Sequence, residues 1–209
     1  MVLAAAALCA VLLLAPMPSL GQAPAPANVG DQALRARRLA EQFEAQARVL
    51  TVFDRQGKVV STVGERALYS APVFSPDRTR LAVVKRDLES GTEDLWVLNV
   101  ATGKSTRITS NQTQAQELVD TPVWSPDGSQ VAYRALRGGY FGLYRKASNG
   151  EGTEELLYQH PGGGMNLADW SLDGRFLSFD SEGGTLYVLP LAGDGERKPI
   201  ELFRSESQM

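Results

Sequence analysis

The stretch WSPDGSQVAYRA at 124–135 returns twice in altered form, as FSPDRTRLAVVK at 74–85 and as WSLDGRFLSFDS at 170–181. No other feature restricts the fold of this chain as much. The serines that open the shared turn stand at 75, 125 and 171, spaced by 50 and 46, and the aromatics downstream, Trp96, Tyr144 and Tyr187, follow at 48 and 43. Two landmarks that keep step over three units mark a true period. A repeat of forty-odd residues holding four short strands is the sequence pattern of a β-propeller blade.

The repeated turn has a physical purpose. Proline presets φ at the first corner, aspartate accepts hydrogen bonds from nearby backbone N–H groups, and glycine tolerates positive φ. The residues concerned are Ser75, Pro76 and Asp77 in the first copy, Ser125, Pro126, Asp127 and Gly128 in the second, and Ser171, Asp173 and Gly174 in the third. Arg78 replaces the glycine in the first copy and Leu172 the proline in the third; a type I turn accepts most residues at either place. The turn joins the innermost strand of a blade to its neighbour. Phe74, Trp124 and Trp170 before it, and LAV, VAY and LSF after it, are expected to fill the space between blades.

From Val49 onward, short runs rich in Val, Leu, Tyr, Phe and Trp alternate with clusters of Gly, Asp, Asn, Ser and Pro, which predicts an all-β architecture. Blades fall at about 70–110, 119–160 and 165–204, and 49–64 supplies two outer strands of a half blade without an inner pair. The expectation is therefore a partial β-propeller of about three and a half four-stranded blades over 49–209. Closed propellers have four to eight. A truncated gene, a fragment, or a protomer that completes its ring with another copy would each give this count, and self-association is one expected outcome.

The segment before it differs in kind. Residues 1–27 carry no charged side chain, an apolar run from Val2 to Ala15 and then a Pro/Ala-rich tail with small residues at Ser19, Gly21 and Ala23. The run is shorter than the roughly twenty residues of a spanning helix, so it reads as a secretory signal peptide, with an uncleaved N-terminal anchor as the alternative. Cys9, the one cysteine, lies inside that run. Membrane contact is expected only through an uncleaved signal. Over 28–48 the spacing of Ala36, Leu39, Ala40, Phe43 and Ala47 predicts one amphipathic linker helix with a thin apolar stripe.

These motifs resemble the WD-like repeat of TolB and its relatives: W-S-P-D-G followed by an apolar, Ala, aromatic strand, then D-L-W-V ahead of a glycine. VFDRQGKVVSTVGE, the run from SAPVFSPD to KSTRIT, and GGYFGLYRKASNGEGTEEL also resemble propeller regions attached to bacterial, notably acidobacterial, Ser/Thr protein kinases and related secreted proteins. The resemblance covers about 49–204. It implies a TolB-like propeller and a periplasmic or secreted location, and it leaves activity open because propellers host many functions.

Chemistry-bearing groups are sparse. One histidine, His160, and no cysteine after residue 9 leave no thiolate or multi-histidine metal set. His160 has no GxSxG elbow to serve and reads as structural or surface. RGGYFG and PGGGMN lack the Lys-Ser/Thr of a phosphate loop. The NQT triplet at 111–113 matches a glycosylation acceptor, a pattern common by chance. Net charge is −3 and the sequence pI is near 5.3, which gives no basic footprint and argues against nucleic acid. No cofactor, metal or catalytic residue is expected, and Tyr140 and Phe141 are the candidate contacts with a partner.

Two functions remain. One is a non-enzymatic, secreted or periplasmic module that binds a protein or peptide. The other is the propeller part of a larger enzyme, such as a prolyl oligopeptidase-like hydrolase or a propeller-linked Ser/Thr kinase. The N-terminal pattern makes its own prediction: N-terminal sequencing of exported material should start between Gln22 and Asn28, and material still beginning at Met1 would contradict cleavage.

Overall fold

The computed structural model describes residues 29–109, 118–161, 164–181, 184–192 and 197–204. The expected signal segment at 1–27 and the NQT triplet lie outside them. Helix α1 (Val29–Gln46) comes first, close to the expected 28–48. Of its stripe only Leu39, Phe43 and Ala47 lose exposure, while Ala36 and Ala40 stay open to solvent. Its tie to the sheets is correspondingly slight: Arg66 pairs with Glu44 and lies 5.9 Å from the centre of the Phe43 ring.

Thirteen described strands follow, in three antiparallel sheets whose order is the order of the chain. The first contains β1 (Arg48–Phe53), β2 (Val59–Phe74), β3 (Arg80–Arg86), β4 (Glu93–Asn99) and β5 (Ser105–Arg107). The second contains β6 (Val119–Trp124), β7 (Gln130–Arg137), β8 (Tyr140–Ala147) and β9 (Glu155–Gln159). The third contains β10 (Met165–Trp170), β11 (Phe176–Ser181), β12 (Thr185–Pro190) and β13 (Ile200–Arg204). The strands β2, β6 and β10 that open each blade lie beside one another and form the inner wall.

The expected half blade takes a different form. The end of the expected half blade at 49–64 and the start of the blade expected from about 70 are the two ends of the 16-residue β2, so the β1–β2 hairpin is continuous with the first blade in a five-stranded sheet. Gly64 is the last residue of the expected half blade. It sits instead in a bulge, where Leu50 pairs with Val63 but Arg48 with Ala67. Its φ of +72° suits glycine, and a Cβ there would stand 2.7 Å from Leu98.

Alternation along each strand sends one set of side chains to each neighbour. Ala82, Leu95 and Val97 of the first blade meet Val131, Tyr133 and Trp124 of the second. Ala132, Leu143 and Leu157 of the second meet Leu177, Phe179 and Leu189 of the third. On the far side of the first blade, Val63 of the hairpin packs on Leu81, Val83 and Leu98. The aromatic landmarks are explained by register: Trp96 lies opposite Val83, Tyr144 opposite Tyr133 and Tyr187 opposite Phe179. The last two pairs stack at 6.1 and 5.2 Å between centroids.

Polar latches cross the same junctions. Arg80 donates to Ser148 Oγ at 2.8 Å and to the Gly128 carbonyl at 2.9 Å, with its guanidinium 4.8 Å from the centre of the Trp124 ring. Trp124 Nε1 returns a hydrogen bond to the Val73 carbonyl at 3.0 Å. Between the second and third blades, Arg134 pairs with Asp120, donates to the Met165 carbonyl and to Asn166 Oδ1, and covers the Phe141 ring.

The three repeated turns are built alike. In each, the serine hydroxyl donates to the aspartate Oδ1, at 2.5 Å in Ser75–Asp77, 2.6 Å in Ser125–Asp127 and 2.7 Å in Ser171–Asp173. That Oδ1 also accepts the backbone N–H two residues on, from Thr79, Ser129 and Arg175. The serine Oγ then accepts the N–H that opens the next strand, from Arg80, Gln130 and Phe176. The turn forms in the first copy too, although Arg78 takes φ +59° where Gly128 and Gly174 take +68° and +75°. A side chain in that region costs about 1–2 kcal/mol. Phe74 is a correction, since it is exposed while Trp124 and Trp170 are buried.

Trp124→Ala should lower unfolding free energy by about 3–5 kcal/mol, because the ring fills a junction that cannot close; chemical denaturation measures it. Acid supplies a second test. The serine hydroxyls first, then the backbone N–H groups, hold Asp77, Asp127 and Asp173 down to about 2. Unfolded aspartate titrates near 3.9, so this support is complete above about pH 5 and is lost as pH falls from about 4 to about 2. Denaturation midpoints should fall in that window, and Asp127→Asn should make the fall shallower.

Candidate functional site

The inner wall carries an open groove. Its strands β2, β6 and β10 each break register once against the strand that follows, between Ser70 and Val73, between Asp120 and Val123, and between Leu167 and Asp169. In the first two the break contains a proline, Pro72 or Pro122, preceded by a residue at positive φ: Ala71 at +48° and Thr121 at +44°. Proline lacks the N–H that a ladder needs, so the bulge accommodates it. Non-glycine residues at such angles are strained, and strain of this kind gathers at functional surfaces.

The bulges line an open groove of about 530 Å³ that crosses all three blades. Its walls are apolar: Val73, Phe74, Val123, Trp124 and Trp170, with prolines 76 and 126 of the repeated turns at its rim. Phe74 is 44% exposed, and Leu172, in the turn position where the other copies have proline, is 94% exposed. The one charged group is Asp169, whose Oδ1 accepts the Trp170 N–H at 2.8 Å. Alkyl, indole and pyrrolidine surfaces with a single carboxylate can grip a chain that is apolar in part. They offer no paired acid and base.

The repeated turn residues all lie where the motif places them, and only Pro76, Pro126 and Leu172 reach the groove itself. The structure separates Tyr140 from Phe141. Tyr140 is 56% exposed beside the Gly138–Gly139 turn, whose φ values of +57° and +85° make the tight hairpin between β7 and β8. Phe141 instead packs into the junction between blades under Arg134. Both stand at the far end of β7 from the Asp127 turn. His160 lies 3.4 Å through Nδ1 from the Tyr158 hydroxyl, and its N–H donates to the Phe141 carbonyl, a structural placement.

Sequence reasoning passed over the groove, although it left a trace. Pro72 and Pro122 both stand three residues ahead of the turn serine, a repeated oddity in a strand. The latches left none: Gln130 aligns with Arg80, and Val84 with Arg134. A separate hollow of about 420 Å³ beside Trp96 has two of its three lining cations engaged, Lys85 with Glu65 and Arg107 with Asp94.

Comparison with known proteins gives the same architecture. TolB from Acinetobacter baumannii superposes with a TM-score of 0.58 at 22% identity, over 75% of this chain and 38% of that one. The Dos1 propeller superposes at 0.55 and 15% identity, over 78% of this chain and 41% of that one. At such identities the likeness concerns the fold alone. In sequence, the chain is 32% identical over 109 residues to the "Uncharacterized peptidase YuxL" of Bacillus subtilis (strain 168), covering 50% of this chain and 16% of the peptidase. The chain therefore spans well under two thirds of each of these relatives. The profile of the TolB beta propeller domain matches residues 37–197, most of the chain, and the protein belongs to that family.

Proposed function

We propose that this propeller is a non-enzymatic binding module for a protein or peptide segment, working in the periplasm or as a secreted protein. The observation that carries the reading is the groove along the inner strands. It presents exposed Phe74 and Leu172 over a floor of strained bulges, and its lining suits contact. Exposed apolar side chains gathered in one concave surface mark a site of association. The location rests on the uncharged apolar run at 2–15 with small residues behind it.

A second reading keeps the propeller but assigns it to a longer hydrolase, gating or positioning substrate for a separate catalytic unit. The identity of 32% over 109 residues with a protein described as a peptidase favours it. The two readings differ in what the groove must do alone. As a binding module, the isolated chain holds its ligand without a second domain.

Selection of displayed peptides on the immobilised chain tests this directly. Peptides so enriched should lose about tenfold in affinity, near 1.4 kcal/mol, when Phe74→Glu or Leu172→Glu is introduced. Melting temperature should stay unchanged, because both side chains are exposed. Tyr140→Glu, at the opposite end of its blade, should leave affinity intact. Loss of affinity at Tyr140 without loss at the groove would overturn the assignment.

A further inference from the structure

The two described junctions between blades can be compared residue by residue, because the turn motif fixes their alignment. At the first, Arg80 crosses from one blade to the next. It donates to the Gly128 carbonyl and to Ser148 Oγ, lies 3.7 Å from Asp77 Oδ2, and sits 4.8 Å from the centre of the Trp124 ring. A guanidinium beside an indole, with a carbonyl and a carboxylate at its fork, is well held.

At the second junction most of those surroundings recur, and the arginine does not. Five residues after the turn serine stands Gln130, shorter and uncharged, where Arg80 follows Ser75. Trp170 aligns with Trp124, Gly174 with Gly128 and Asp127 with Asp77. Leu191 takes the place of Ser148, since each donates its N–H to the equivalent carbonyl, that of Arg175 or Ser129, so the hydroxyl acceptor is lost. A Cβ on Gly128 would stand 2.7 Å from Arg80 Nη2, whereas one on Gly174 would meet nothing within 4 Å. The space there is an open hollow of about 340 Å³ lined by Asp127, Gln130, Trp170 and Gly174 among others. Both of its walls belong to blades whose four strands are described.

Charge favours a cation in it. No lysine or arginine lines the hollow. Asp173 is matched by Arg175 Nε at 2.7 Å, while Asp127 has no cation among the described residues. Its Oδ1 serves the turn and its Oδ2 accepts the Ser129 hydroxyl at 2.8 Å, which leaves the negative charge in place. The Gly174 carbonyl receives Trp170 Nε1 at 3.2 Å and keeps a second lone pair. Pro126 and Leu172 offer apolar surface to the methylene stem of a long cation. Arginine suits the site better than lysine, because a planar fork reaches a carbonyl and a carboxylate together.

We propose that the hollow between the Asp127 and Asp173 turns binds the guanidinium of an arginine carried by a partner, in the position that Arg80 fills at the preceding junction. The hollow shares Pro126, Trp170 and Leu172 with the groove, so the arginine belongs to the segment that the groove holds, a step that rests on reading the groove as a binding surface. The segment is thus one with an arginine beside apolar residues.

Titration of the full chain with N-acetyl-arginine amide, a probe too small to span the groove, tests the site through the indole N–H signals of Trp96, Trp124 and Trp170 in proton–nitrogen correlation NMR. The Trp170 signal should shift at millimolar probe, and that of Trp124, already covered by Arg80, should stay. N-acetyl-lysine amide should bind about tenfold more weakly. Gln130→Arg should rebuild the latch from within and abolish the Trp170 shift. An unmoved Trp170 in wild type, an equal response to the lysine amide, or an undiminished shift in Gln130→Arg with wild-type circular dichroism would overturn the proposal. If the amide binds and no displayed peptide is selected, the groove reading falls and this site stands. If peptides are selected and the amide leaves Trp170 unmoved, the groove reading stands and this site falls.

Discussion

Everything in this molecule depends on burying both faces of a twisted sheet. Each four-stranded blade has apolar side chains on two sides, and a sheet alone in water would leave both wet. Packing blade on blade solves the problem for the interior faces and moves it to the ends of the row. Apolar burial yields about 25 cal/mol per Å², so each junction, with Leu, Val, Tyr, Phe and Trp interlocked, contributes far more than any single polar latch. Arg80 and Arg134 act on top of that packing: they fix the rotation of one blade against the next, because a guanidinium fork reaches its acceptors only in one orientation.

The turns serve the same end from the chain's side. A strand that leaves the inner wall must reverse and pair immediately, or its register slips and every side chain changes face. The Ser-Asp cluster prevents this by tying the first N–H of the returning strand to the serine Oγ, in all three copies. The motif persists because of register, and its carboxylates are consumed by their own turn. Proximity of a conspicuous Asp and Ser is not chemistry when each already holds the other.

The groove arises from a different compromise. The inner segments, residues 68–74 of β2 together with β6, have one edge with no strand paired to it, which lets Pro72 and Pro122 enter without loss of a ladder bond and lets Ala71 and Thr121 adopt strained angles. The same freedom creates a concave, partly apolar surface. The propeller thus carries its open groove where its hydrogen bonding is least constrained, and its rigidity where blades meet.

Repeat spacing, strand alternation and the turn motif were legible in the sequence because they are local: Ser75, Asp127 and Gly174 perform their parts within six residues. The buried LAV, VAY and LSF runs followed from the same alternation. What required the folded chain was every contact that joins distant residues. Phe74 aligns with Trp124 and Trp170 yet lies exposed, because it has no preceding full blade to meet among the described residues. Gly64, the last residue of the expected half blade, lies in a bulge within β2 with Leu98 of another strand close against it. Phe141 and Tyr140 are adjacent and alike in sequence, and only the folded chain shows which of them β8 turns into a junction under Arg134 and which it leaves in water. The sequence by itself determined the period, the blades and their turns, since these depend on backbone and nearest neighbours. Tertiary structure alone decided which apolar side chains found cover and which remained as surfaces, since burial depends on what the rest of the chain brings alongside.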